Sequence, residues 1–154
     1  MAKILSAKIR GLIGFFGINF LLHLIWENAQ APLFVGHESF WQHFPPCFFA
    51  TATGDMIFTL IIYIVLALIN KNFWWIFSKK AYKNPYTWIA AIAVGILLAV
   101  LFELWAVYID FRWIYGAMPI IPIIHVGLTP VLQMVFIPIL SIKIFEMKLL
   151  RISK

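Results

Sequence analysis

Long apolar stretches separated by short polar segments dominate the chain. Four of them reach about 20 residues or more, the length that a helix needs to cross the hydrocarbon core of a bilayer. They cover approximately residues 11–31, 48–69, 88–109 and 121–145. This pattern predicts an all-α polytopic membrane protein, a bundle of four transmembrane helices that forms a single domain over residues 1–154.

Prolines mark the expected limits of these helices. Pro32 is expected to end the first helix, and Pro45 and Pro46 stand just ahead of the expected start of the second. Pro130 and Pro138 fall inside the fourth stretch, where a missing backbone donor is expected to kink the helix.

Composition agrees with a membrane environment. The chain is 64% hydrophobic and 12% charged, whereas soluble domains are about half apolar and a quarter charged. Too little polar surface is available to cover a water-soluble protein. The lone cysteine, Cys47, has no partner for an internal disulfide.

The basic residues are distributed asymmetrically. Eleven of the twelve, including Lys154, precede the first helix, lie between the second and third, or lie at the end of the chain from Lys143 onward, and only Arg112 lies in the other two loops. The positive-inside rule therefore places both termini in the cytoplasm, and the net charge of +6 needs no nucleic-acid partner to explain it. The acidic residues mostly show the reverse distribution, with Glu38 in the first outer loop.

Each predicted helix carries polar residues at helical spacing. The first has Asn19, His23, Glu27 and Gln30 on one face. The other helices carry Thr51, Asp55 and Thr59; Glu103; and His125, Thr129 and Gln133. Ionisable groups in such apolar runs are costly and indicate a functional site. Glu103 has no basic partner in its own helix, so His23, His125 or Arg112 is expected to pair with it.

The ionisable residues of the four helices are expected to lie at similar depth. At about 1.5 Å per residue, His23, Asp55, Glu103 and His125 all lie in the outer half of the bilayer. A polar pocket open to the outer leaflet follows. The candidate catalytic residues are His23, Glu27, Asp55, Glu103 and His125. The candidate substrate-binding residues are Asn19, Gln30, Arg112, Trp113, Tyr115, Thr129 and Gln133, of which Arg112, Trp113 and Tyr115 form a loop over the pocket.

Three kinds of chemistry fit these residue types. A protonated Glu27 or Glu103 could donate a proton to a lipid-soluble substrate while His23 or His125 accepts or orients one. The same imidazoles and carboxylates could ligate zinc or iron, but no H-E-x-x-H or repeated E-x-x-H pattern occurs, so no metal ligand and no cofactor is assigned. The residues could also form a binding or proton-relay site.

Two resemblances bear on function. The segment from His23 to Phe40, HLIWENAQAPLFVGHESF, resembles the EXPERA group of sterol isomerases and related sterol-binding proteins through His23 and Glu27 of its His-x-x-x-Glu. That resemblance implies about four helices around a cavity for a hydrophobic amine, a sterol or a carbocation-like intermediate. The chain as a whole is similar to small bacterial membrane proteins of unassigned function, which implies a location in the bacterial inner membrane. This second similarity lies in His23–Glu27, Thr53–Asp55 and Arg112–Gln133.

Two functional hypotheses remain open. In the first, the pocket binds a lipid or isoprenoid-like molecule, or acts on it by acid–base chemistry, and whether the protein is an enzyme is left open. In the second, the protein is non-catalytic: an accessory subunit, an assembly factor or a small transporter. Gly11, Gly14 and Gly17 are spaced to form either a homodimer seam or an internal helix contact.

Overall fold

The fold is all-α apart from one small β-ladder. The computed structural model describes residues 2–36 and 39–152, so Glu38 and Lys154 lie outside the described residues. The α-helices are α1 (Ala2–Gln30), α2 (Phe40–Ala50), α3 (Met56–Ile69), α4 (Lys79–Lys83), α5 (Pro85–Tyr108) and α6 (Leu128–Ile152). The shorter elements are 3-10 turns at Ala31–Leu33 and Trp75–Phe77, a π-helix at Thr51–Asp55, and strands β1 (Ile120–Ile121) and β2 (Val126–Gly127).

Four helical segments are long and apolar enough to cross a membrane, which confirms the predicted number. They are Leu5–Leu33, Phe40–Ile69, Pro85–Tyr108 and Leu128–Leu149. The second contains α2, the π-helix and α3 in one continuous run, and we call it helix two.

Two predicted helix starts are too late. α1 begins at Ala2 rather than near residue 11, because lysine and arginine are good helix formers and do not stop a helix. Helix two begins at Phe40 rather than near residue 48. Ser39 caps it in a capping box with Gln42, so Pro45 and Pro46 lie inside the helix and not ahead of it.

The fourth helix, in contrast, begins later than predicted, at Leu128. β1 and β2 form a hairpin in front of it, closed by the turn from Pro122 to His125, whose N–H donates to the Ile121 carbonyl at 2.8 Å. Pro122 cannot supply a backbone donor and disfavours helical geometry in the residue before it. Pro130 therefore lies in the first helical turn, where a missing N–H costs little, and Pro138 is the proline in the interior of α6. The third helix, predicted at 88–109, is α5, and the Asn84 side chain caps it by accepting from the Tyr86 N–H at 3.1 Å.

Helices α5 and α6 approach each other closely at Gly95. A Cβ at this position would lie 2.1 Å from the carbonyl oxygen of Met134, so only glycine permits this contact. The approach places Met134 of α6 against α5, while Gln133 bonds to α1 and the π-helix. α1 packs on α6 and α2, and α3 packs on α5.

The two ends of the bundle differ in character. One end carries Lys71, Lys79, Lys80 and Lys83 and is called the lysine end. Its core is filled by large apolar side chains, of which Trp75 and Ile76 are fully buried, and the Trp75 indole donates to the Tyr63 carbonyl at 3.2 Å. The opposite end, called the pocket end, includes Gln30, Phe40, Tyr108 and Leu128.

Candidate functional site

A cavity of about 380 Å³ lies at the pocket end, between the four long helical segments and the loop that follows α5. Three carboxylates line it: Glu27 from α1, Asp55 from the π-helix and Glu103 from α5. The amides of Gln30 and Gln133 lie among them. Apolar side chains make up most of the remaining wall, including Phe34, Phe58, Phe102, Trp113 and Met134. A cavity of this size, with apolar walls and a few converging polar groups, is typical of small-molecule binding sites.

The direction of the hydrogen bonds around Gln30 is set by Trp26. An indole N–H only donates, and that of Trp26 lies 3.2 Å from Gln30 Oε1. The amide nitrogen of Gln30 therefore faces the other way. It donates to Glu27 Oε1 at 2.9 Å and to Gln133 Oε1 at 3.1 Å.

The orientation of the Gln133 amide in turn determines the tautomer of His23. With Gln133 Oε1 engaged by Gln30, the Gln133 Nε2 group donates to His23 Nδ1 at 3.0 Å and to Asp55 Oδ2 at 3.3 Å. His23 Nδ1 must then accept, which assigns the imidazole proton to Nε2. Nε2 lies 3.4 Å from Thr59 Oγ1. His23 Nδ1 is also 3.6 Å from Asp55 Oδ2, so Gln133 holds the imidazole and the carboxylate side by side.

Glu103 is held on the opposite wall by a tyrosine. The backbone N–H of Gly127 donates to Tyr115 Oη at 2.8 Å, and the Tyr115 hydroxyl donates to Glu103 Oε2. Burial, followed by the hydrogen bond and charge of Glu103, raises the pKa of Tyr115 above its ordinary value. The phenol therefore stays a donor at neutral pH. The prediction that Glu103 pairs with His23, His125 or Arg112 is wrong, because its side-chain partner in the fold is the Tyr115 hydroxyl.

The loop after α5 covers the cavity. It is fixed to the end of α1 by an isolated β-bridge between Phe34 and Tyr115, with Gly116 N donating to Leu33 O at 2.9 Å. The Trp113 ring lies between the Phe34 and Phe102 rings, at 5.9 Å from each. The loop therefore forms a roof over the cavity. The Trp113 ring supplies its aromatic side chain, and the backbone contacts of Tyr115 and Gly116 hold one edge in place.

A π-helix forms the wall that carries Asp55. Thr53, Gly54 and Asp55 of this segment line the cavity. π-helices are rare, and single-turn insertions of this kind occur often at functional sites. This segment presents three consecutive residues to the cavity.

Seven of the predicted site residues line the cavity: Glu27, Gln30, Asp55, Glu103, Arg112, Trp113 and Gln133. His23 and Tyr115 lie directly behind this wall and contact it through Gln133 and Glu103.

Three predicted site residues lie elsewhere. Asn19 is buried about one helical turn from His23 toward the lysine end. It donates to the Phe15 carbonyl at 2.9 Å and accepts from Ser141 Oγ at 2.8 Å. Thr129 donates to the Met118 sulfur at 3.0 Å. His125 is exposed in the hairpin turn with a φ of 53°, since the helix that was to carry it begins three residues later.

Trp26, which donates to the cavity residue Gln30, and Cys47, which lines the cavity, were not predicted from the sequence. Trp26 precedes Gln30 by four residues, so helical spacing could have identified it as the donor to that amide. Cys47 lines the cavity from α2. No signal in the sequence marks Cys47, because helix two was predicted to begin near residue 48 and not at Phe40.

The described residues contain no group of three or more His, Cys, Asp or Glu side chains placed to hold a metal ion. No family model, curated protein or solved structure matches the chain. The resemblances noted from the sequence stay predictions.

Proposed function

We propose that this chain is a multi-pass protein of the bacterial inner membrane, with both termini cytoplasmic, whose pocket opens to the outer leaflet and binds a lipid or isoprenoid-like molecule. Four helical segments of sufficient length and apolarity support the membrane location. The eleven basic residues on one side of the predicted topology support the orientation.

One observation carries the functional proposal: three carboxylates from three separate helical segments converge on one cavity with largely apolar walls. Placing a carboxylate in such surroundings is costly unless hydrogen bonds or a ligand compensate. Gln30, Gln133 and Tyr115 provide fixed donors to these carboxylates. An ionised carboxylate offers about four lone-pair sites, so acceptor capacity is left for a ligand.

The arrangement also suits proton transfer. Glu27 and Glu103 reach the cavity from opposite walls and are the groups that could exchange a proton with a bound molecule. His23 does not line the cavity, and it acts through Gln133 and Asp55 as a positioning residue. We assign no such role to His125, which lies in the exposed turn.

Binding is favoured over transport through the bundle. On the side of His23 that faces the lysine end, the core is closed by buried apolar side chains such as Phe15, Leu66, Trp75 and Ile142. Among the described residues this region offers a void of only about 10 Å³ beside Asn19 and Thr59, about the size of one water molecule.

The proposal is tested by native mass spectrometry of protein extracted into nanodiscs directly from its membrane. Wild type is expected to retain a hydrophobic ligand, and the Glu27→Gln, Asp55→Asn and Glu103→Gln variants to lose most of it. Glu146→Gln is the matched control, because that carboxylate accepts from Lys143 Nζ at 2.7 Å far from the cavity. Equal retention by all variants would show that the carboxylates do not form a binding site.

A further inference from the structure

The cavity is open on one side, between helix two and α5. Ala50, Thr53 and Ile57 of helix two line the cavity and are at the same time exposed, Ile57 by 55%. The opening arises because α2 and the π-helix pack on α1, while α3 packs on α5. We call this opening the slot.

The slot has defined edges on α5. Phe102 lines the cavity from that helix, and its ring packs against Phe58 at 5.3 Å and against Trp113 at 5.9 Å. Next to the slot, Phe49 and Leu101 are exposed by 67% and 56%. If the helices span a bilayer, these side chains face lipid, and so does the slot.

The charged residues follow an order from the outer edge of the slot, which we call the rim, to the interior of the cavity. Arg112 lines the cavity and is exposed; its guanidinium lies 4.4 Å from the centre of the Trp105 ring and pairs with Asp110. Trp105 contacts Phe102, so this positive charge lies on the α5 side of the slot. The carboxylates of Glu27, Asp55 and Glu103 lie within the cavity. A molecule that arrives through the slot meets the Arg112 guanidinium, whose charge Asp110 partly balances, before it reaches the three carboxylates.

We propose, on the basis of the function proposed above, that the ligand is an aminophospholipid that enters sideways through the slot. In such a lipid the phosphate is nearer the acyl chains and the primary ammonium is at the tip of the headgroup. The phosphate would lie beside Arg112, a residue suited to paired hydrogen bonds with phosphate oxygens. The ammonium would reach the carboxylates, and the acyl chains would remain in the bilayer.

The charge order selects among headgroups. A glycerol headgroup brings phosphate but no positive charge for the carboxylates. A trimethylated ammonium brings the charge without N–H donors. The primary ammonium supplies charge and three donors together, and charge-assisted hydrogen bonds are stronger than neutral ones.

The test uses full-length protein in nanodiscs made from equal parts of phosphatidylethanolamine, phosphatidylcholine and phosphatidylglycerol with identical acyl chains. Native mass spectrometry after collisional removal of bulk lipid reports the lipid that stays bound. We expect phosphatidylethanolamine to be enriched about tenfold over each of the others, as one charge-assisted hydrogen bond allows. Enrichment of either other lipid, or none, overturns the headgroup assignment.

Variants test the slot and the rim. Thr53→Trp and, independently, Ala50→Phe fill the slot and are expected to reduce retention at least several-fold. Leu21→Trp adds the same bulk to an exposed position on α1 and is expected to have no effect. Arg112→Gln is expected to reduce retention of all three phospholipids, because each carries the phosphate that Arg112 would bind. Unchanged retention in both slot variants contradicts lateral access.

The two proposals fail in different ways. If Glu27→Gln and Glu103→Gln retain as much lipid as wild type, the proposed binding function is wrong. If those variants lose a ligand that is not an aminophospholipid, the binding function stands and the headgroup assignment is wrong.

Discussion

Gln133 and His23 are joined by a hydrogen bond of 3.0 Å between Gln133 Nε2 and His23 Nδ1, across the interface of α6 and α1. The bond has a fixed direction, because it ends a chain of donors that starts at the Trp26 indole and passes through Gln30. One donor-only group thus sets the orientation of two amides and the tautomer of one imidazole.

The tautomer of His23 can be measured directly. We expect the proton on Nε2 and an unprotonated Nδ1, since Gln133 occupies Nδ1 as a donor. ¹⁵N NMR of protein with labelled histidine distinguishes the two nitrogens, and a His23→Asn sample identifies the signal among the four histidines. A proton found on Nδ1 would mean that the Gln133 amide is turned the other way.

Removing the Tyr115 hydroxyl is expected to loosen the roof of the cavity. Tyr115→Phe removes the hydroxyl donor from Glu103 and the Tyr115 acceptor from the Gly127 N–H. The free energy of unfolding should fall by about 1–3 kcal/mol, the usual cost of a buried polar group left unpaired. Reversible unfolding in denaturant measures this.

Cys47 gives a second measurement of the same variant. It is buried, lines the cavity and is the chain's lone cysteine, so its rate of reaction with a small maleimide reports access to the cavity. We expect faster labelling in Tyr115→Phe than in wild type. Tyr86→Phe is the control, because Tyr86 is exposed at the other end of α5. Equal rates in all three proteins would show that the Tyr115 hydroxyl does not hold the roof closed.

The contact between α5 and α6 is expected to tolerate no side chain at Gly95. Gly95→Ala places a methyl group against the Met134 carbonyl, which cannot move without shifting α6. Overpacking of this kind costs about 1–3 kcal/mol, and the shift would displace Gln133 from His23. Gly17→Ala is the matched control, since a Cβ there meets no atom within 4 Å. Thermal unfolding of both variants in nanodiscs compares them, and equal stability would contradict the close approach.

The orientation in the membrane can be tested with introduced cysteines. In a Cys47→Ser background, Phe111→Cys is expected to react with a membrane-impermeant maleimide added to intact cells with a permeabilised outer membrane. Lys71→Cys is expected to react only after the inner membrane is opened. The reverse result would place the lysine end outside, against the positive-inside rule.

Sequence reasoning succeeded where one helix carries the pattern. Apolar length and spacing gave four helices, and a period of about 3.6 residues gave the inward face of α1 from His23 to Gln30. Glu103 was identified because an unpaired carboxylate in an apolar run has to face a protein interior or a cavity.

The predictions from the sequence failed at positions whose structure depends on tertiary contacts or on local turn and capping geometry. The apolar run that continues through His125 predicts a helix there, but Pro119 and Pro122 favour a hairpin at that position. The partner of Glu103 could not be deduced, since Tyr115 reaches it only when the loop folds back over the bundle. Pro45 and Pro46 predict a boundary, although the capping box at Ser39 starts the helix earlier.

The π-helix at Thr51–Asp55 lets helix two hold one residue more than an uninterrupted α-helix needs, because each π-type hydrogen bond spans five residues rather than four. Losing one residue from these five would restore a continuous α-helix and leave α2 and α3 close to their present faces. The shortened segment would still exceed the roughly 20 residues that span a bilayer, because the original has 30. A three-nucleotide deletion would therefore remove the wide turn that presents Thr53, Gly54 and Asp55 to the cavity while leaving an insertable, equally hydrophobic protein.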